Sequence, residues 1–132
     1  DDLNILTGFS YLKELKTESY SFFGGLSVGK LSFLFEVDQA NNWLEDNITS
    51  YANMLQFTYK PIQGIHLFAK YDFFDKNYDL LNGSINRKSI GVEFYPLNMF
   101  EISLQIRKYD TENIVLENNK RDEFLMQLHS WF

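Results

Sequence analysis

The chain lacks cysteine altogether, which excludes disulfide scaffolds, thiolate metal sites, c-type haem attachment and thiol catalysis. It also lacks any apolar run approaching the ~18 residues of a membrane-spanning helix, so a helical membrane protein is excluded. Basic residues are scarce, 12 Lys and Arg against 18 Asp and Glu, and the net charge of -6 argues against a nucleic-acid partner. Hydrophobic residues still make up 45% of the 132 residues, which rules out a disordered tail.

Aromatic residues are abundant at 17%, although the mean hydropathy is only -0.29. An alternation of apolar and polar residues with a period of two accounts for both values. From Phe100 to Arg107 every even position is apolar and every odd position is polar, which predicts a strand with one apolar and one polar face. The same alternation is clear in 31–38, 65–74, 89–94 and 123–129, and weaker in 3–12, 19–28 and 51–59.

These segments predict an all-β domain of about eight strands, each roughly 8 to 11 residues long, which exceeds the usual strand length of globular proteins. Short turns at 28–30, 60–64 and 95–99 alternate with longer Asn- and Asp-rich segments at 39–49, 76–88 and 111–121. Both prolines, Pro61 and Pro96, are expected in the short turns, where a missing N–H costs no sheet hydrogen bond. Long loops at one end and tight turns at the other are typical of an antiparallel up-and-down meander.

Alternation alone does not say which face meets water. A soluble sheet protein hides its apolar face, whereas a transmembrane barrel turns that face towards lipid. The apolar positions are almost free of charge, while the polar positions also carry large hydrophobic residues such as Phe23, Leu34 and Phe68, and this favours the membrane. Aromatic residues near the strand ends predict two aromatic girdles, one at the level of the lipid headgroups on each side of the membrane. The predicted girdle residues are Tyr11, Tyr20, Tyr51, Tyr59, Phe73, Phe94, Phe100 and Phe132.

The segment from Asp122 to Phe132 ends on an aromatic residue with Phe124, Met126 and Leu128 apolar in register with it. It resembles the C-terminal closing strand of Gram-negative outer-membrane β-barrel proteins, and it departs from that pattern at Ser130. The stretches 72–75, 91–96 and 127–129 are similar to the final strands of larger porin-like barrels. The resemblance implies a bacterial outer-membrane location, contact with the lipid bilayer, and recognition of the last strand by the barrel-assembly machinery. Residues 1–132 are then one transmembrane β-barrel domain or barrel segment.

Two forms of such a barrel fit the chain. Eight strands can close a barrel whose interior is filled by side chains, and this form would act as a structural anchor or as a scaffold for a plug or partner protein. The same strands would equally fit the C-terminal part of a longer porin-like passive channel, with further strands of the same protein beside them. The start at Asp1, almost directly before strand alternation, favours the second form as our expectation.

In either form the polar positions face the barrel lumen. Six of their charged side chains are acidic and two are basic, which is a hint of cation preference in a pore. In a small closed barrel the same charges would have to pair with one another. The predicted lumen-facing polar residues are Glu36, Asp38, Lys70, Asp72, Glu93, Glu101, Gln105, Arg107, Glu123 and Gln127.

Neither a metal site nor a catalytic site is predicted, and no cofactor is implied. His66 and His129, the two histidines, both fall at inward positions, but no spacing supplies the further ligands that a metal needs. The chain has no nucleophile elbow, no phosphate-binding glycine loop and no H-E-x-x-H motif, so we do not expect an enzyme.

The strongest alternative class is a soluble ligand-binding barrel of the lipocalin or fatty-acid-binding kind, which reaches about this length. Its apolar face would line the ligand cavity and its charged face would meet water. The missing helical lid and the terminal Phe132 in register argue against it.

Overall fold

The computed structural model describes residues 2–80, 83–97, 99–112 and 119–131. Every regular element in these ranges is a β-strand. No stretch of the described residues forms a helix that could cross a membrane. The strands are β1 (Leu3–Glu14), β2 (Thr17–Val28), β3 (Leu31–Asn41), β4 (Thr49–Ile62), β5 (Ile65–Asp75), β6 (Ile85–Leu97), β7 (Phe100–Thr111) and β8 (Asn119–Ser130).

The eight strands form one antiparallel sheet in the order of the chain, from β1 to β8. Each strand pairs only with the strands before and after it, so the predicted all-β, up-and-down arrangement of eight strands is confirmed. β1 and β8 lie at the two edges and have no contact with each other in the described ranges. The sheet is therefore open rather than closed into a barrel, and each edge strand leaves one side of its backbone unpaired.

Two-residue turns hold three of the hairpins in register. Leu15 follows β1 with a φ of 52°, although a left-handed conformation is costly for a leucine. Gly29 and Gly64 adopt φ values of 54° and 81° in the turns after β2 and β4, where glycine carries no such cost. These turns place Leu3 opposite Val28, Val28 opposite Leu31 and Ile62 opposite Ile65, so apolar residues meet apolar residues across the strands.

The expectation that both prolines lie in turns was wrong. Pro61 and Pro96 lie near the ends of β4 and β6, where the strand register shifts by one residue. The shift falls between Tyr59 and Ile62 in β4 and between Phe94 and Leu97 in β6. A bulge leaves one residue of the ladder unpaired, so a proline without an N–H fits there without losing a hydrogen bond.

The long connections are shorter than the sequence predicted. β6 begins at Ile85 and β8 at Asn119, so both strands extend into segments that were expected to be loops. The loop after β3 is confirmed, and it is closed by its own backbone: the Asn42 N–H donates to the Ile48 carbonyl over 2.8 Å.

Candidate functional site: the polar face of the sheet

The register divides the described side chains into two faces, because residues that pair across antiparallel strands point to the same side. We call them the apolar face and the polar face. All ten residues predicted to face a lumen lie on the polar face. The central positions of the apolar face are Ile5, Leu26, Phe33, Phe35, Leu55, Phe57, Leu67, Ala69, Ile90, Val92, Leu104, Ile106, Phe124 and Met126.

The distribution of buried and exposed residues is the reverse of that in a soluble globular domain. No hydrophobic side chain of the described residues is buried, and the buried ones are polar. The accessible surface is 9692 Å², whereas a compact monomer of this mass would expose roughly 7,250 Å². The apolar face therefore has no protein partner in this structure. The buried polar residues are Ser50, Thr58, Asp75, Ser84, Ser89 and Ser103.

The sheet curls towards its polar face. One cavity of about 370 Å³ has lining residues from six strands, including Leu6 of β1, Leu34 of β3, His66 of β5 and Glu93 of β6. In a flat sheet β1 and β6 would lie about 24 Å apart, at ~4.8 Å for each strand. A single cavity that reaches both strands indicates that the polar face is concave.

Asp72 is the centre of the strongest charge cluster on this face. Its carboxylate accepts a hydrogen bond from Arg87 Nε at 2.9 Å and forms an ion pair with Lys70 Nζ at 3.1 Å. Arg87 lies directly opposite Asp72 across β5 and β6, and Lys70 lies two residues before it on the same side of β5. The three side chains remain partly exposed, so water and protein share the solvation of these charges.

A second cluster lies near the short-turn end and includes both histidines. His66 Nδ1 is 3.4 Å from Glu93, and the Tyr95 hydroxyl donates to the same carboxylate at 3.1 Å. The His66 and Tyr95 rings lie 4.9 Å apart. On the next pair of strands, His129 Nδ1 is 3.6 Å from Glu101. Carboxylates, imidazoles and a phenol thus line this end of the concave face.

Amides form a third group of polar contacts on β7 and β8. Gln105 donates to Gln127 at 3.2 Å and accepts from Arg107 Nε at 2.9 Å. In the described ranges no buried side-chain nitrogen or oxygen lacks a hydrogen-bond partner. The buried polar side-chain atoms of this face are therefore all satisfied, as is usual in folded proteins.

The large hydrophobic residues of the polar face have a specific packing role. The Phe23 ring lies over Gly8, and the Phe68 ring lies over Gly91 on the neighbouring strand. A Cβ atom on Gly91 would stand 2.5 Å from the Phe68 ring and 2.6 Å from the Leu104 carbonyl oxygen. These glycines leave room for rings that would otherwise project into the concave space.

The predicted girdle residues that the structure describes all lie on the apolar face. At the long-loop end, the rings of Tyr11 and Tyr20 lie 5.0 Å apart, and those of Tyr51 and Phe73 lie 6.1 Å apart. Near the short turns lie Tyr59, Phe94 and Phe100, while Phe132 lies outside the described residues.

The predicted assembly signal lies on an edge strand. Phe124, Met126 and Leu128 of β8 expose 68%, 62% and 58% of their surface, and all three lie on the apolar face. The fourth residue of the signal, Phe132, is not among the described residues.

Sequence reasoning missed three residues of the polar face, namely Arg87, Tyr95 and Arg121. They were assigned to loops or turns, but β6 and β8 include them. The alternation that continues backwards from Glu93 through Gly91 and Ser89 to Arg87 was the signal that could have found the first. Arg87 and Arg121 add basic charge to a face predicted to be mainly acidic, so the expected cation preference becomes weaker.

The structure also bears on what the polar face could hold. In the part of the chain that the structure describes, no three His, Asp or Glu side chains converge as metal ligands would. The carboxylates of Glu36, Asp72, Glu93 and Glu101 pair with hydroxyl, lysine, arginine or histidine groups instead. The arrangement can bind water and hydrated ions along a concave wall.

The Asp72 cluster leads to a stability prediction. Asp72→Asn leaves Arg87 and Lys70 without their carboxylate, and we expect a loss of about 1–2 kcal/mol, because a hydrogen bond to a charged group is worth that much when water remains nearby. Denaturant unfolding of the refolded protein measures it. The double variant Asp72→Asn with Arg87→Gln should recover part of the loss, whereas additive losses would show that the two side chains do not interact.

Comparisons with protein-family models, curated proteins and solved structures found no match, so no fold or function is transferred from a relative.

Proposed function

We propose that this chain is a unit of a bacterial outer-membrane β-barrel, a porin-like passive channel or part of one. The apolar face contacts lipid, and the polar face lines an aqueous lumen. The mechanism is passive: the sheet separates lipid from water, its polar side chains solvate small solutes, and the longer loops restrict entry.

The observation that carries this proposal is the inverted burial. Phe33, Phe57 and Ile90 lie on a continuous apolar face that is exposed, while no hydrophobic side chain of the described residues is buried. Soluble monomers rarely expose contiguous apolar patches larger than a few hundred Å². A hydrocarbon solvent removes that cost, because lipid tails are as apolar as these side chains.

The two open edges limit the proposal. In hydrocarbon each unpaired backbone N–H or C=O costs several kcal/mol, so spanning sheets must be closed. β1 and β8 therefore need partners: each other, or further strands. A porin-like channel requires the second solution, because eight strands leave no open pore.

The small closed barrel is a second candidate, and one observation favours it. The polar face carries bulky side chains, among them Phe23, Leu34, Phe68 and Phe74, which would fill the interior of an eight-stranded barrel. In that form β1 pairs with β8, and the protein acts as an anchor or as a scaffold for a partner.

The soluble lipocalin-like alternative fits the curvature less well. It requires the apolar face to line the cavity, whereas the sheet curls towards the polar face, where the Asp72 and Glu93 clusters lie. A chain that stays monomeric and soluble without detergent would nevertheless make this alternative the correct one.

The proposed channel is tested by current in a planar bilayer. The variant Glu36→Gln, Glu93→Gln, Glu101→Gln removes three acids from the polar face, so we expect selectivity to shift towards anions. Asp72 is left intact because it pairs with two cations. The reversal potential under a salt gradient measures the shift.

The matched control removes the same charge outside the sheet, with Glu45→Gln, Asp46→Asn and Asp79→Asn in the loops. It should shift the reversal potential less than the polar-face variant. Equal shifts would contradict the lumen-lining role. Insertion without current would contradict the channel and support the closed anchor.

A further inference from the structure

The apolar face changes abruptly from hydrophobic to charged residues at the long-loop end of β6, β7 and β8. The last apolar row across these strands is Ile90, Ile106 and Phe124. The next row on the same face is Lys88, Lys108 and Asp122, and the row beyond it is Asn86, Asp110 and Lys120. Charged side chains therefore stand directly beside the edge of the apolar region.

The cross-strand pairing of Lys88 with Lys108 in this row is electrostatically unfavourable. Lys88 lies directly opposite Lys108 across β6 and β7, and like charges in opposite positions destabilise a sheet. Lys108 has a distant partner in Asp122, at 3.9 Å. Lys88 has no carboxylate within ion-pair distance among the described residues. An anion between the two ammonium groups would relieve their repulsion.

The space for such an anion exists. A cavity of about 740 Å³ lies over these rows, and its charged lining residues are Lys88, Lys108 and Lys120 together with Asp110 and Asp122. Tyr71 and Asn86 line the same cavity, and the tyrosine hydroxyl donates to the asparagine amide oxygen. Three ammonium groups, two carboxylates and hydrogen-bonding side chains thus surround a cavity that borders the apolar row, and its lining carries more positive than negative charge.

We propose that this cavity binds the phosphate group of a membrane lipid, whose acyl chains lie along the apolar row below. The inference rests on the proposed function, since it requires the apolar face to be in lipid. The three lysines outnumber the two carboxylates, and the adjacent pair Lys88 and Lys108 selects a phosphate. The adjoining Ile90, Ile106 and Phe124 select a ligand with hydrocarbon chains. Lys88 and Lys108 contact the phosphate from two strands.

Native mass spectrometry of the full chain in detergent micelles tests the site with phosphatidic acid as the probe. Diacylglycerol with the same acyl chains lacks the phosphate, and glycerol 3-phosphate lacks the chains. We expect Lys88→Gln with Lys108→Gln to weaken phosphatidic acid binding about thirtyfold, and each single substitution about fivefold, since one lysine near an anionic lipid contributes a factor of about five. Strand content by circular dichroism checks that each variant folds.

Lys16→Gln with Lys76→Gln removes the same charge from the loops at the same end of the sheet, and it should leave binding unchanged. If this control loses as much affinity, or the Lys88 and Lys108 variants lose none, the site is overturned. Equal binding of glycerol 3-phosphate would overturn the lipid assignment and leave a site for free phosphate.

Failure of the proposed function has a different outcome. A chain that is soluble without detergent and takes up neither lipid would contradict the membrane location itself. Equal uptake of phosphatidic acid and diacylglycerol would keep the membrane location and overturn only the phosphate site.

Discussion

Met126→Arg destabilises the protein in a lipid bilayer by about 2–4 kcal/mol, which is the expected cost of an arginine on the lipid face near the bilayer midplane. Met126 lies in the middle of the apolar stretch of β8, opposite Leu104. It is 62% exposed in the isolated chain, so the same substitution in a soluble protein would cost almost nothing. The size of this stability loss therefore shows whether lipid or water surrounds the apolar face.

The matched control is the next residue of the same strand. Gln127 lies opposite Ser103 on the polar face, and Gln127→Arg should cost less than 1 kcal/mol, because a lumen-facing arginine stays hydrated. Equilibrium unfolding of both variants in urea, in the presence of phospholipid vesicles, gives the two free energies. Similar small losses for both would show that the apolar face is not in hydrocarbon.

Gly91→Ala is the second substitution with a large expected effect, about 3 kcal/mol of lost stability. The new methyl group would stand 2.6 Å from the Leu104 carbonyl oxygen, which belongs to the sheet backbone. Overpacking costs 1–3 kcal/mol in general, and the upper end applies here because paired backbone cannot move aside. The loss appears as a lower midpoint of unfolding in denaturant.

Gly8→Ala provides the comparison. The three atoms nearest to the methyl group there all belong to the Phe23 ring, which is a side chain that can rotate away, so the expected loss is about 1 kcal/mol. The order of the two losses is the prediction. A larger loss at Gly8 would contradict the packing of Phe68 and Leu104 around Gly91.

The sequence was sufficient to predict the positions of the strands and the residues that share each face. Alternation from Phe100 to Arg107 predicts β7 and the face of each of its residues, because the period of a strand is two and does not depend on neighbours. The ends of strands were predicted less well. Pro61 and Pro96 suggested turns, but a bulge satisfies a proline as well as a turn does.

The contacts of the polar face could not be predicted from the sequence. The pair of Asp72 and Arg87 depends on the register between β5 and β6, and this register depends on the loop between them. Arg87 was assigned to that loop because Asn and Asp residues precede it. The pairs of Glu93 with Tyr95 and of Glu101 with His129 follow from the same kind of cross-strand detail.

The partners of β1 and β8 could not be predicted from the sequence either. Alternation shows on which face a residue lies, but it does not show which strand lies beside an edge strand. An edge strand and a central strand of a closed barrel have the same period of two. The exposed backbone of the two edges in this structure is compatible with closure on each other or with additional strands. The current measurement proposed above separates these two forms, because a closed eight-stranded barrel leaves no open pore.

The central claim is that the apolar face lies in lipid and the polar face in water, and the absence of cysteine makes a direct test simple. Single cysteines at each position from 102 to 107 of β7 carry a nitroxide label, and the protein is placed in phospholipid vesicles. Electron paramagnetic resonance then compares collision with oxygen, which concentrates in lipid, and with a water-soluble nickel complex. We predict that oxygen dominates at Ile102, Leu104 and Ile106, and that the nickel complex dominates at Ser103, Gln105 and Arg107. Dominance of the nickel complex at all six positions, or oxygen dominance at the odd positions, would contradict the claim.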